Sequence, residues 1–166
     1  MKKLAIMALA CTLMASCGKS DAPVLFPQEN FQTTVDGKEV SIYTLKSGDI
    51  TMQVTNFGAR VVSLWTPDRN GKFDDIVLGY NNIDNYVNNP GERFLGAVVG
   101  PYANRIANGT YTIGEEVYNF PQNNNGQTLH GGLLGLDMVV WDVDSVTENA
   151  IVLSYLSPDG QDGMPG

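Results

Sequence analysis

Hydrophobic and polar residues alternate with a period of two along much of the chain after residue 30. Segments 40–45 and 50–54 show this alternation most clearly, and such a period places successive side chains on opposite faces of a strand. The same signal predicts further strands at residues 60–66, 76–78, 110–113, 117–120, 138–142 and 151–156. No long amphipathic helix is evident, and only residues 83–87 are expected to form a helical turn.

Turn dipeptides separate the predicted strands. Asp36-Gly37, Asn70-Gly71 and Asn108-Gly109 supply residues that accept the positive φ of tight hairpin turns. Many short strands with such turns are typical of an antiparallel all-β sandwich or barrel, and not of alternating strands and helices. Because no repeat, low-complexity tract or interior linker interrupts the pattern, residues 30–166 are expected to form one structural unit.

Residues 1–16 differ from the rest of the chain and have the pattern of an export signal. Lys2 and Lys3 precede an apolar run over residues 4–14, which is shorter than the roughly 20 apolar residues of a membrane-spanning helix. The small residues before Cys17 resemble the cleavage and lipidation site of bacterial lipoproteins. Cleavage near residues 8–10, or an unmodified and buried Cys17, are the alternatives.

Cys17 is therefore the predicted lipidation site and the first residue of the mature protein. Residues 17–29, which contain Pro23 and Pro27, are interpreted as a tether between the lipid and the folded domain. Because Cys11 leaves with the signal and Cys17 holds the lipid, no disulfide and no cysteine-based metal site is expected. These features predict an exported lipoprotein, anchored to a membrane on the periplasmic or outer-membrane side.

The net charge and the absence of several common motifs argue against some classes of function. The chain has 18 acidic and 10 basic residues, with a formal net charge of -8. Binding to a nucleic-acid backbone requires a concentrated lysine and arginine face, so no nucleic-acid partner is expected. The sequence also contains no glycine-rich phosphate loop after a strand, no HExxH motif and no paired-cysteine motif.

Two clusters contain side chains suited to binding a ligand. His130 is the only histidine in the chain, and it precedes two glycines that let a ligand approach the backbone closely. Asn104 and Arg105 follow the apolar run 94–99 and combine a planar fork of donors with an amide, a combination suited to neighbouring sugar hydroxyls. A structural histidine and an arginine in a structural ion pair explain the same clusters, so both interpretations stay open.

Five short motifs follow one another in a characteristic order. They are NFGARVVSL at 56–64, DIVLGY at 75–80, NRIANG at 104–109, LHGG at 129–132 and SPDG at 157–160. In this order they resemble the aldose 1-epimerases, or galactose mutarotases. The resemblance implies a β-supersandwich and an isomerase that interconverts the α and β anomers of free hexoses such as galactose or glucose, with no metal and no cofactor.

The resemblance also implies roles for single residues. Asn104 and Arg105 match the sugar-binding pair of the family, and His130 matches the histidine that contacts the sugar near the reacting oxygens. Family members use a carboxylate that takes the proton of the C1 hydroxyl and a histidine that protonates the ring oxygen. Both groups follow the SPDG motif in the family, at positions expected beyond Gly166, the last residue of this sequence. No residue of this chain matches the family's catalytic acid or base.

The missing acid and base predict that this chain is an incomplete, N-terminal part of the fold and has no catalytic activity by itself. Residues 157–166 have a loop composition after a strong strand, which favours a partial chain over a frayed natural terminus. The alternative functions are a non-catalytic carbohydrate-binding lipoprotein and an enzyme for another substrate such as a sugar phosphate. The acidic charge balance disfavours the anionic substrate.

Overall fold

The computed structural model describes residues 22–88 and 91–165. The predicted export signal, Cys17 and the start of the predicted tether lie outside these residues, and so does Gly166. The expectation that the catalytic acid and base lie beyond Gly166 therefore stays a prediction. In the described part of the chain, no helix has the length and hydrophobicity needed to cross a membrane. Short antiparallel strands dominate, which confirms the prediction of an all-β fold.

The strands and the single α-helical turn follow one another along the described chain. They are β1 (Thr33–Val35), β2 (Lys38–Val40), β3 (Ile42–Ser47), β4 (Ile50–Thr55), β5 (Arg60–Pro67), β6 (Phe73–Asp75), α1 (Asp84–Val87), β7 (Arg105–Ile106), β8 (Thr110–Ile113), β9 (Glu116–Asn119), β10 (Thr128–Leu129), β11 (Asp142–Val146) and β12 (Ile151–Ser154). Short 3-10 turns lie at Gln28–Phe31, Ala107–Gly109 and Gln161–Gly163.

The largest sheet is a meander in which β3, β4, β5 and β6 pair in sequence order. The remaining strands form two-stranded ladders, namely β1 with β2, β7 with β10, β8 with β9 and β11 with β12. One hydrophobic core packs against the meander. It contains Phe31, Val40, Ile42, Phe57, Val62, Ile83, Tyr86 and Val140.

The core extends into the segment interpreted above as a tether. Phe26 packs against the core, and the buried side chain of Gln53 holds its backbone. The Phe26 N–H donates to Oε1 of Gln53 at 2.8 Å, and Nε2 of Gln53 donates to the Phe26 carbonyl at 3.0 Å. Phe26 is therefore packed on the sheet, although it lies within the segment interpreted as a tether.

The predicted strand at 76–78 is wrong, because β6 covers Phe73–Asp75 and ends there. The carboxylate of Asp75 accepts hydrogen bonds from the backbone N–H groups of Leu64 and Val77. A side chain that takes these donors competes with ladder pairing and ends the strand. Ile76 and Leu78 alternate with their neighbours but are 63% and 79% exposed.

The predicted strand at 138–142 is also displaced, since β11 begins only at Asp142. Val140 forms an isolated bridge with Phe57, and the side chain of Asn56 donates to the Trp141 carbonyl. The apolar alternation here reflects packing into the core and not a continuous ladder. Asn108 and Gly109 have the predicted positive φ values of 55° and 63°, but they join β7 to β8, which do not pair.

Candidate functional site

A two-stranded ladder brings the two candidate clusters together. Leu129 of β10 pairs with Arg105 of β7, so Asn104 and His130 face each other immediately beyond this pair. The His130 N–H donates to the Asn104 carbonyl at 3.0 Å, and the Asn104 N–H donates to Nδ1 of the His130 ring at 3.0 Å. Asn104, Arg105 and His130 therefore form one constellation.

The ring of His130 has a defined orientation in this constellation. Because Nδ1 accepts a hydrogen bond from Asn104, the neutral imidazole carries its proton on Nε2 and presents a donor there. The ring also packs against Phe94 in a T-shaped arrangement, with 4.7 Å between the ring centroids and an angle of 63° between the ring planes. His130 and Asn104 both adopt positive φ, 53° and 65°, a conformation that non-glycine residues keep only when their surroundings hold it.

The guanidinium of Arg105 is exposed and lies beside neutral amides. Nη1 donates to Oδ1 of Asn104 at 3.2 Å, and Nε donates to Oδ1 of Asn124 at 3.1 Å. In residues 22–88 and 91–165, no ion pair involves Arg105. The alternative interpretation, in which Arg105 makes a structural ion pair, therefore finds no support among the described residues. Because a guanidinium has five N–H donors, Arg105 keeps donors for a polyhydroxylated ligand.

A groove with a volume of about 390 Å³ adjoins Arg105. Tyr102, Tyr111 and Ile113 contribute to its walls, and Tyr102 is 53% exposed. Apolar walls with a few polar groups are typical of small-molecule sites. The described residues contain no group of three or more side chains suited to hold a metal ion.

The loop that carries His130 (residues 130–134, the histidine loop) is fixed from two sides. Asn123 donates from Nδ2 to the carbonyls of Leu129 and Gly132 at 3.0 and 2.9 Å, and its Oδ1 accepts the Leu129 N–H at 2.7 Å. From the other side, the carboxylate of Asp162 accepts the N–H of Leu134, and Nε2 of Gln161 donates to the Leu134 carbonyl at 2.6 Å. The residues that follow the SPDG motif thus hold the histidine loop, a role that the sequence did not indicate.

Gly131 allows this loop to pass close to the Gly100 carbonyl. Gly131 has a φ of 92°, and a Cβ there would overlap the carbonyl oxygen of Gly100 and lie 2.9 Å from Cδ of Pro101. A glycine is therefore required next to His130, both for the backbone conformation and for the space.

Replacing Gly131 with alanine is expected to lower the free energy of unfolding by about 2 kcal/mol, because strain and overlap act together. Gly114 is the matched control, since it also has a positive φ, 64°, but nothing lies within 4 Å of its Cβ position. Alanine at Gly114 is expected to cost only about 1 kcal/mol. Urea unfolding of both variants measures the difference, and equal losses would contradict the close approach at Gly131.

A buried ionic network lies behind the histidine loop. Arg93 donates from Nε and Nη2 to the two carboxylate oxygens of Asp137 at 2.7 and 2.8 Å, and this carboxylate is fully buried. Arg60, also fully buried, donates to the carbonyls of Arg93, Leu95 and Asp137. Burial lowers the pKa of the Arg60 guanidinium, and the charge of Asp137 opposes that change.

Sequence reasoning missed this network. Sequence patterns place Arg60 in a strand and a motif, but they give no role to Arg93 or Asp137. The side chain of Arg60 lies over the rings of Phe57 and Tyr86, at 5.6 and 4.9 Å from their centroids. The one available signal was an arginine at the start of a largely apolar strand, because arginine is almost never fully buried without partners.

Residues 41–166 match the aldose 1-epimerase family. The galactose mutarotase of Mus musculus is 38% identical over 130 residues, which cover 78% of this chain and 37% of the relative. A probable aldose 1-epimerase of Arthroderma benhamiae is 39% identical over 131 residues, which cover 76% of this chain and 30% of the relative. The chain thus spans about a third of the length of these relatives.

Solved structures give the same result for the fold. An aldose epimerase homologue from C. elegans superposes with a TM-score of 0.71 at 32% identity, over 76% of this chain and 39% of that one. Galactose 1-epimerase from Lactobacillus acidophilus superposes with a TM-score of 0.67 at 28% identity, over 82% and 40% of the two chains. These similarities confirm the predicted all-β sandwich of the galactose mutarotase type.

Proposed function

Because this chain belongs to the aldose 1-epimerase family, we propose that it carries one wall of the sugar site of an isomerase that interconverts the anomers of free hexoses. The observation that supports this proposal is the meeting of Asn104, Arg105 and His130. Two hydrogen bonds of 3.0 Å join the Asn104 backbone to the backbone and ring of His130. The relatives named galactose mutarotase and galactose 1-epimerase favour galactose as the first substrate to examine.

The three side chains offer complementary contacts for a pyranose. The remaining N–H groups of Arg105 and the amide of Asn104 suit hydroxyls on neighbouring carbons, because a planar donor fork matches two adjacent oxygens. Nε2–H of His130 is a third donor, suited to an oxygen close to the anomeric carbon. Donors placed there would also stabilise the negative charge that develops on the ring oxygen when the ring opens.

His130 is assigned to binding and not to proton transfer. Ring opening moves one proton from the C1 hydroxyl to a base and delivers another to the ring oxygen from an acid. His130 is the only histidine of the chain, and its Nδ1 is engaged by the Asn104 backbone. The family resemblance leaves the acid and the base without a match up to Gly166, so we expect hexose binding without turnover by these residues alone.

Polarimetry of freshly dissolved α-D-galactose tests this assignment directly. With the purified 166-residue chain, the optical rotation is expected to relax at the spontaneous rate. An acceleration that disappears in the variant His130→Ala would show that the chain itself catalyses the reaction at this site and would overturn the expectation of binding without turnover. A variant at an exposed position of a hairpin turn, Arg69→Ala, controls for nonspecific effects of the protein.

We also propose that the protein is exported and anchored through a lipid on Cys17. The support is the sequence pattern of residues 1–17, in which two lysines, a short apolar run and small residues precede the cysteine. Cells that express the protein are expected to incorporate an alkyne-labelled fatty acid into it and to retain it in the membrane fraction.

The two cysteines provide a matched pair for this experiment. Cys17→Ser is expected to abolish the label and release the protein from membranes, whereas Cys11→Ser is expected to leave both unchanged, because Cys11 lies inside the predicted signal. Label that persists in Cys17→Ser would contradict the anchor.

A further inference from the structure

The imidazole of His130 is held by more than its hydrogen bond to Asn104. Rotation about the bond that joins Cβ to a histidine ring has broad energy wells, so a single contact does not define the plane of the ring. The second contact is the edge-to-face packing of Phe94, at 4.7 Å between centroids. Such aromatic pairs prefer defined angles, so Phe94 restrains the orientation of the imidazole together with the hydrogen bond from Asn104.

Phe94 is itself held by its neighbour Arg93. The guanidinium carbon of Arg93 lies 4.8 Å from the centroid of the Phe94 ring, within the distance of a favourable cation–π contact. The Arg93 guanidinium has little freedom, because Nε and Nη2 bind both oxygens of the buried Asp137 carboxylate. A planar fork on a carboxylate fixes the angle of the guanidinium as well as its position.

Arg93 also reaches the histidine loop directly. Nη1 donates to the carbonyl of Leu133 at 3.4 Å, three residues after His130. The side chain of Arg93 is 21% exposed, whereas that of Asp137 is fully buried. Arg93 therefore connects a rigid buried anchor to the ring that packs on His130 and to the loop that carries it.

We propose that Arg93 is a positioning residue: anchored by the buried Asp137, it holds Phe94 against His130 and so fixes the imidazole plane that presents Nε2–H to the ligand. The importance of this orientation for sugar binding rests on the proposed function, but the orientation itself is a property of the sugar-free protein. Arg93 acts on the imidazole through Phe94 and the histidine loop, and not through a contact with the ligand.

The single histidine makes this proposal measurable by NMR. Only one imidazole contributes ring signals in the 166-residue chain, so ¹H and ¹⁵N spectra of ¹⁵N-histidine-labelled protein report on His130 without assignment. The wild type is expected to show one tautomer, with Nδ1 unprotonated and Nε2 protonated, and ring protons shifted by the ring current of Phe94.

Arg93→Lys keeps the positive charge and the Phe94 ring but loses the planar fork. In this variant the ring-current shift is expected to shrink and the ¹⁵N signals to move towards a mixture of tautomers. The affinity for D-galactose is expected to fall roughly tenfold, since misplacing a positioned group by about 1 Å can cost up to about a hundredfold. Arg69→Lys, in the exposed turn between β5 and β6, is the matched control and is expected to leave all signals unchanged.

The outcomes separate this proposal from the proposed function. A folded Arg93→Lys with wild-type ring shifts and a single tautomer would overturn the positioning role. If Arg93→Lys does not fold, the variant Phe94→Leu is used instead, because it keeps the ion pair between Arg93 and Asp137. In this variant, ¹⁵N signals of a mixture of tautomers support the positioning role, and an unchanged single tautomer overturns it. The two proposals can also fail separately. If Arg93→Lys alters the His130 signals but the wild type does not bind galactose, the positioning role is supported and the sugar site is refuted.

Discussion

Replacing Asp137 with alanine is expected to lower the free energy of unfolding by about 3–5 kcal/mol, the range measured when one partner of a buried ion pair is removed. The carboxylate is fully buried and accepts two hydrogen bonds from Arg93. The fully buried Arg60 guanidinium lies 3.9 Å away. Without Asp137, one buried and one partly buried guanidinium would lose their counter-charge. Urea unfolding followed by tryptophan fluorescence measures the loss.

Asp142 provides the matched control for this prediction. Its ion pair with Lys38 is as short, at 2.7 Å, but the side chains of Lys38 and Asp142 are 43% and 60% exposed. Exposed pairs typically contribute between 0 and about 1 kcal/mol, so Asp142→Ala is expected to change stability little. Similar losses in the two variants would contradict the claim that Asp137 anchors the region behind the histidine loop.

Replacing Arg105 with alanine is expected to weaken hexose binding roughly tenfold to a hundredfold. Hydrogen bonds that involve a charged group contribute about 1.5–3 kcal/mol, and each 1.4 kcal/mol corresponds to a factor of about ten in affinity. The folded state should tolerate the change, because Arg105 is exposed and its described partners are the side chains of Asn104 and Asn124. Affinities are measured by NMR titration with D-galactose.

Two further variants show whether the loss of affinity is specific to the guanidinium of Arg105. Lysine keeps the charge but not the planar fork, so Arg105→Lys is expected to recover only part of the lost affinity. Arg69→Ala removes an arginine from an exposed turn and is expected to bind as the wild type does. Unchanged affinity in Arg105→Ala would remove Arg105 from the proposed site.

The all-β fold could be predicted from the sequence because its main sheet is local. β3 to β6 pair in sequence order, and the alternation in β3 and β4, with the turns between neighbouring strands, indicates this antiparallel arrangement without any long-range contact. The hairpin at Asp36-Gly37 is equally local, with positive φ values of 50° and 77° and Val35 paired with Lys38. Short-range pattern and turn chemistry are sufficient in such cases.

The strand prediction at 76–78 failed because a side chain replaced the ladder. Alternation of Ile76 and Leu78 with their neighbours resembles a strand, but the Asp75 carboxylate binds two backbone N–H groups at this point. Hydrophobic periodicity describes which side chains share a face and contains no information about this competition.

The candidate site could be predicted only in part, because its contacts join residues that are distant in the sequence. Asn104 and His130 stand out one by one in the sequence, but the ladder that joins them contains two residues per strand, too few for an alternation signal. The contact between Arg93 and Asp137 spans 44 positions, and that between Arg60 and Asp137 spans 77. Such pairs depend on the complete packing of the described core, which no local pattern specifies.

Asn104, Arg105 and His130 are proposed to form a binding surface for a free hexose. The most direct test is a titration of the wild-type protein with D-galactose, followed through the ring signals of His130, the only histidine of the chain. Saturable movement of these signals with galactose, and none with myo-inositol, a cyclic polyol without an anomeric carbon, is the predicted result. Ring signals that stay unchanged at saturating galactose, in a protein that remains folded, would contradict the claim.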